Sequence, residues 1–335
     1  MLINSRSEFI DHLLIIRCGG PNRPEEIVPF LENVTRGLSI PAARLREVTR
    51  HYEAIGGSSP YNPHTFQFAA SLTRCLRGLG VNLPVFVGMR HWQPFLSETI
   101  QEIESRGLKH GLGFILAAHR SVASFDRYVQ ALEQAIQKAQ AHELSYATLE
   151  PWHKHPLFIE AQADYVRAVL NQLPADVRQA ARLIFSAHSI PQAMAQPSHY
   201  DPEVRNSSLL VAQALEHSHW SVAYQSRSGR PEESWLEPEV HVRMRQLAQE
   251  GVADVVFVPI GFLCDHAEVL YDLDMEARAQ AKQLGLRYWR ASTVIDHPKF
   301  VEMVATLVSS SMPQAQETGH GEKDRKIPRP ISGRI

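Results

Sequence analysis

Eight short apolar runs, separated by segments of helical period, limit what this chain can fold into more than any other feature. They lie at residues 12–17, 85–87, 113–117, 146–149, 183–186, 221–224, 255–258 and 286–289, each of strand length. Helical spacing fills the intervals at 24–37, 41–55, 65–78, 94–106, 121–142, 156–172, 201–217 and 237–250, and returns at 299–311 after the last run. Such alternation predicts βαβ units and an α/β class. With 335 residues there is room for two domains. Eight strands divided four and four give two doubly wound, Rossmann-like domains with parallel four-stranded sheets and a cleft between them. The segment EPWHKHP at 150–156 interrupts the pattern and sets the boundary, with 1–148 and 149–311 as the two domains and the last helix free to pack back on the first. From Met312 onward, Pro, Gln, Gly and charge replace aromatics, so 312–335 reads as a disordered tail. A faint echo, Ile115 to His119 against Ile184 to His188, suggests two copies of one unit.

Ligands of parallel α/β sheets gather at the carboxyl ends of strands. Polar or soft groups fall at five such ends: Cys18, Arg90 with His91, His119, His188, and His266 with Glu268. The last is the richest. After the run 255–258, Pro259 and Gly261 break the pattern, and carboxylates then recur at Glu268, Asp272 and Glu276, where four-residue spacing stacks them on one helix face. One reading is structural, with Asp265 as N-cap, Glu268 closing a capping box and the acids complementing the helix dipole. The other is a row of hard oxygen ligands or proton acceptors leading into a cleft, with His51 as a neighbour of its outer end. A lone histidine is more often a satisfied core or cap residue. That reading is kept for His119, and the fragments WHKH (152–155) and HSH (217–219) are taken as surface histidines.

The runs LIFSAHSIP (183–191) and GFLCDHAEVLYDLD (261–274) together resemble the ferrochelatase family, in which SAHS supplies an active-site histidine and the second motif an active-site glutamate. Further similarity lies in RHYEAIGGSSP (50–60), VGMRHWQPF (87–95) and YQSRSGRPEESWLEPEV (224–240). The resemblance implies chelatase-type domains and insertion of ferrous iron into a free-base porphyrin, protoporphyrin IX or coproporphyrin III, with loss of two pyrrole protons. It assigns His188 and Glu268 to catalysis, and His188, Glu268, Asp272 and Glu276 to the metal. Cys18, Ser58 in the 55–60 loop, His91, Trp235 and Ser186 match positions around the macrocycle, Arg36 and Arg90 suit its propionates, and Trp92 is either a wall or a core aromatic. Whether His188 takes a proton or first holds iron stays open, since neutral imidazole does either. At Cys18 relatives commonly carry Met or Tyr; the residue is either a small buried hydrophobe that fills space or, as thiolate, a soft ligand for the product iron. A cobalt or nickel chelatase of the same fold, or a haem or iron carrier, are the alternatives.

Composition narrows the partners. A hydrophobic fraction of 44% with 21% charged residues is globular, and a net charge of −2 without a Lys/Arg cluster excludes nucleic acid. The first residues lack the apolar core of a signal peptide, and the longest apolar stretch is about half a membrane span. A cytoplasmic protein without a transmembrane segment is expected, with membrane contact at most transient. Three cysteines, Cys18, Cys75 and Cys264, are too few and too scattered for a disulfide frame or an iron–sulfur cluster. No cofactor is therefore expected beyond iron as substrate.

Overall fold

The computed structural model describes residues 9–37, 40–149, 151–228 and 233–312, so the tail expected beyond Met312 lies outside the described residues. Strand β1 (His12–Arg17) leads through α1 (Ile27–Thr35), α2 (Ala42–Ala54) and α3 (Tyr61–Gly78) to β2 (Val85–Met89), then α4 (Leu96–Ser105), β3 (His110–Ile115), α5 (Arg127–Ala139) and β4 (Ser145–Thr148). The second half runs α6 (Pro156–Leu170), α7 (Ala175–Arg178), β5 (Arg182–His188), α8 (Gln192–Ser198), α9 (Tyr200–Ala214), β6 (Trp220–Gln225), α10 (Val240–Gln249) and β7 (Asp254–Val258). It closes with α11 (Ala267–Val269), a π-helix (Leu270–Ala277), α12 (Arg278–Leu284), β8 (Arg287–Arg290) and α13 (Pro298–Ser311).

Among the described residues all eight strands are parallel, in two four-stranded sheets ordered β2-β1-β3-β4 and β6-β5-β7-β8. The two orders are the same order, which makes β1 the counterpart of β5. The sequence echo had instead matched β3 to β5, so Cys18, not His119, stands where His188 stands in the other sheet.

Helices cover both faces of each sheet, and the strands are apolar on both faces accordingly. Leu13 and Ile15 on β1, with Leu183 and Phe185 on β5, enter one core shared by the two sheets, while Leu14, Ile16 and Ile184 face separate outer clusters. Helix α13 closes that shared core by packing on α3 and α6. Its Phe300 lies 5.5 Å from both Phe68 and Trp152, ring centre to ring centre. Deleting such a buried ring costs about 3–5 kcal/mol. Trp152 and His153 are therefore interior, and His217 is buried with Nε2 donating to Ala181 O at 2.8 Å. The expectation of surface histidines fails at these two: at His217 a neutral imidazole satisfied by a carbonyl tolerates burial, whereas His153 is buried with its Nδ1 lacking a hydrogen-bond partner among the described residues. His155 caps α6 through Nδ1, and His219 is exposed.

Candidate active site

In each sheet the strand order reverses between the first and third strands, and a crevice opens there at the carboxyl ends. In the second sheet this point lies between β5 and β7, the strands that lead to His188 and Glu268. After β7 the chain folds back over β5, and Gly261 N–H donates to Ser186 O at 3.0 Å. A Cβ at 261 would sit 2.6 Å from Ala187 Cβ, so only glycine permits the approach. That approach carries α11 to the end of β5. The helix cap is His266, whose Nδ1 accepts from Glu268 N–H at 3.1 Å. Asp265, expected at that cap, is instead bound by Arg290, and no capping box through Glu268 forms.

His188 Nε2 lies 3.5 Å from Glu268 Oε1. The imidazole is oriented by its Nδ1–H, which donates to Ser189 O, and the backbone beneath it by Tyr200 O–H, which donates to His188 O at 3.2 Å. Burial alone would depress the His188 pKa. The Glu268 carboxylate, the Ser189 carbonyl and Asp272 outweigh it and push the group up to about 9. Burial likewise opposes ionisation of Glu268, yet His188, with His266 and Arg44, brings it down to about 2. The resting pair is thus imidazolium and carboxylate.

The acid row continues on a π-helix, where an α-helix was expected. Bonds of i→i+5 type widen the turn, a form that recurs at functional sites. Asp272 is pushed up to about 7, first by burial and then by the charges of Glu268 and Glu276, although the Ser226 hydroxyl donates to it. Asp272 and the exposed Glu276 open on a cavity of about 260 Å³ that also meets Arg44 and His51 from α2, and His241. His51 stacks on Tyr271, rings 3.7 Å apart, which places α2 over the row. Among the described residues no three His, Cys, Asp or Glu side chains converge on one metal position. Of the four residues expected at the metal, Asp272 and Glu276 border the cavity, whereas His188 and Glu268 pair with each other outside its lining.

The chain matches the ferrochelatase family model over residues 11–312. It is 40% identical over 307 residues to the coproporphyrin III ferrochelatase of Nocardia farcinica, covering 89% of this chain and 87% of that protein. The belonging is decided by that match. The chain is a member of the ferrochelatase family. A coproporphyrin III ferrochelatase of Streptomyces coelicolor is 38% identical (89% and 84% covered), and a ferrochelatase of Rhodopirellula baltica 35% identical (92% and 88%). Among solved structures, the sirohydrochlorin chelatase of Bacillus subtilis subspecies spizizenii with cobalt superposes with a TM-score of 0.54 at 10% identity over 90% of this chain and 95% of that one, a likeness of fold alone. The family's enzymes insert a metal into a porphyrin, and this ferrochelatase takes porphyrin and iron as substrates.

The opposite wall of the ferrochelatase comes from the first sheet. Cys18 follows β1, and Gly19 turns the chain at φ +88° beneath Trp92. Cys18 is half-buried, hydrogen-bonded by Tyr128, and close enough to Glu268 to feel its charge. Burial first, then Glu268, pushes its thiol up to about 11 against the pull of Arg90 and Arg17, so it stands as a neutral thiol. Arg90 and His91 follow β2 on the same wall; burial and Arg90 hold His91 down to about 4. Ser58 is half-buried in a loop tied to the Cys18–Pro21 turn by Ser59 N–H donating to Pro21 O at 2.8 Å. Trp92 is half-buried on Phe30 and donates to Glu26 at 2.9 Å, so it belongs to a small core of its own. Trp235 is buried beside Pro191, its Nε1 without a partner.

Arg36 is exposed past the end of α1, bound to Asn33, and Ser186 is wholly buried one pleat below His188. His119 is interior as well, bonded to Ser207. Sequence reasoning missed Arg17, Tyr61 and Cys264. The Arg17 guanidinium is buried between the sheets, stacked 4.0 Å over Tyr61, and donates to Thr65 and Cys264 Sγ, each at 3.2 Å. Its only sequence signal was a charge closing a continuous apolar run. No helix among the described residues is long and apolar enough to cross a membrane.

Proposed function

We propose that this protein inserts ferrous iron into coproporphyrin III, in the cytoplasm, with His188 and Glu268 as the proton-handling pair. The observation that carries the choice of porphyrin is the coproporphyrin III specificity named for relatives 35–40% identical over nearly the whole chain. The observation that supports the roles is the His188–Glu268 contact at the carboxyl end of β5, 3.5 Å long and continued by Asp272 and Glu276 toward the cavity.

The chemistry follows from proton count: ferrous iron enters and two pyrrole protons leave. His188 begins as imidazolium and accepts nothing until it loses its own proton. Entry of a planar macrocycle strips water from the pair and favours the neutral form, with the proton shared to Glu268. Asp272, poised near neutrality, passes it to the cavity. Neutral His188 then takes the first pyrrole proton, and the same relay removes the second. The carboxylates Asp272 and Glu276 admit the incoming cation as hard oxygen donors. Cys18, Arg90 and His91 form the other wall, with Arg90 suited to a propionate.

The test is an anaerobic assay with ferrous ion and either coproporphyrin III or protoporphyrin IX, read by loss of the free-base absorption bands. At least a tenfold preference in kcat/KM for coproporphyrin III is expected. Equal rates, or a preference for protoporphyrin IX, overturn the substrate assignment. No turnover with ferrous iron but turnover with cobaltous or nickel ion overturns the metal.

A further inference from the structure

Arg290, the last residue of β8, engages all five of its N–H donors. Nε donates to Asp274 Oδ1 at 2.8 Å, and Nη2 to Asp274 Oδ2 at 2.8 Å and Asp265 Oδ2 at 3.0 Å. Nη1 donates to Asp265 Oδ1 at 3.1 Å and to Ala291 O at 3.2 Å. Thr293 O–H adds a further bond to Asp265 Oδ1 at 3.1 Å. The guanidinium is 13% exposed and its two carboxylates 26% and 23%, so the ions are held largely out of water.

The positions of those two carboxylates give the cluster its meaning. Asp265 immediately precedes His266, the cap that receives Glu268 N–H. Asp274 lies inside the π-helix, between Asp272 and Glu276. One guanidinium therefore grips the segment on both sides of the Glu268–Asp272 step. A π turn is a rare conformation that the segment's own backbone ladder favours little, so its persistence calls for an external hold. Without Arg290 two neighbouring part-buried carboxylates would also repel each other, and the turn could tighten toward α geometry.

We propose that Arg290 is a positioning residue which, by binding Asp265 and Asp274 together, fixes the wide turn and so sets the spacing of Glu268, Asp272 and Glu276 along the path for iron and protons. This rests on the reading of that row given above. Lysine cannot replace it. An ammonium is a point charge with three donors and no planar fork, and it satisfies one carboxylate well and the other poorly.

The experiment compares wild type, Arg290→Lys and Asp274→Asn, each checked for folding by circular dichroism. Steady-state kinetics with ferrous ion and coproporphyrin III are combined with porphyrin binding by quenching of protein fluorescence. Positioning predicts that both variants raise the iron KM or lower kcat at least fivefold while porphyrin Kd stays within twofold. The double variant should lose no more than Arg290→Lys alone. Unchanged iron KM and kcat with only a lower Tm, or equal losses in iron and porphyrin binding, overturn the proposal. Asp274→Asn leaves Arg290 paired with Asp265 and keeps the question answerable where Arg290→Lys fails to fold. If wild type inserts no iron into any porphyrin, the functional reading fails; if wild type is active and both variants match it, the clamp alone fails.

Discussion

Glu268→Gln should return His188 to an ordinary histidine, because the amide keeps the shape of the carboxylate and removes its charge. The His188 pKa stands at about 9 against 6.5 for the free side chain. At about 1.36 kcal/mol per pH unit, that displacement has an upper bound of roughly 3.4 kcal/mol. The side chains are 31% and 46% exposed at a 3.5 Å separation, so water screens the pair. A discounted coupling of about 1–2 kcal/mol is more realistic, and the pKa should fall by at least about one pH unit. The assay is an NMR titration of the imidazole carbon–proton resonances in both proteins.

Stability must follow with a definite sign. The raised His188 pKa contributes stability that is complete below 6.5 and is lost as pH rises through about 9. The depressed Glu268 pKa contributes stability that is complete above 4.5 and is lost as pH falls through about 2. Urea unfolding should therefore show Glu268→Gln weaker than wild type by about 1–2 kcal/mol near pH 6, and the difference should vanish above pH 10. A wild-type His188 that titrates at or below 6.5, or one whose pKa is the same in Glu268→Gln, refutes the ion pair.

Three further outcomes are expected. With Asp272 titrating near 7, the iron KM should rise as pH drops below 7, where the carboxyl is neutral, and Asp272→Asn should flatten that profile. Burial and the Glu268 charge push the Cys18 thiol up to about 11, so its alkylation by a thiol reagent in the iron-free protein should be slow at pH 8 and accelerate toward pH 11; fast alkylation at pH 8 would reveal a thiolate. Arg17 is a buried cation that rests on a hydroxyl, a thiol and a ring, so Arg17→Met should change unfolding free energy by less than about 1 kcal/mol, whereas a loss near 3–5 kcal/mol would reveal a buried ion pair.

Much of this architecture was legible because period and position carry it. The β1 run was readable to the residue, and of the acid row at 268, 272 and 276 the last two border a cavity. Strand β3 begins three residues earlier than expected, since His110 and Gly111 give no apolar signal. What the sequence hid depends on partners distant along the chain. Asp265 looked like a cap because nothing local shows that Arg290 claims it. The echo of Ala-His endings misled because equivalence between the halves is set by strand order, which pairs β1 with β5. The charge of His188 could not be read at all. It is fixed by a 3.5 Å contact that exists only once the loop at Gly261 folds over β5.

The most direct test of the central claim is a single-turnover experiment on Glu268→Gln and His188→Ala, each loaded with coproporphyrin III and mixed anaerobically with ferrous ion. Both variants should bind the porphyrin with wild-type quenching. Insertion should slow by about 10²–10⁴-fold, the range expected when a positioned acid–base group is removed. Insertion within a few-fold of wild type in either variant would contradict the assignment of His188 and Glu268 as the pair that carries the pyrrole protons.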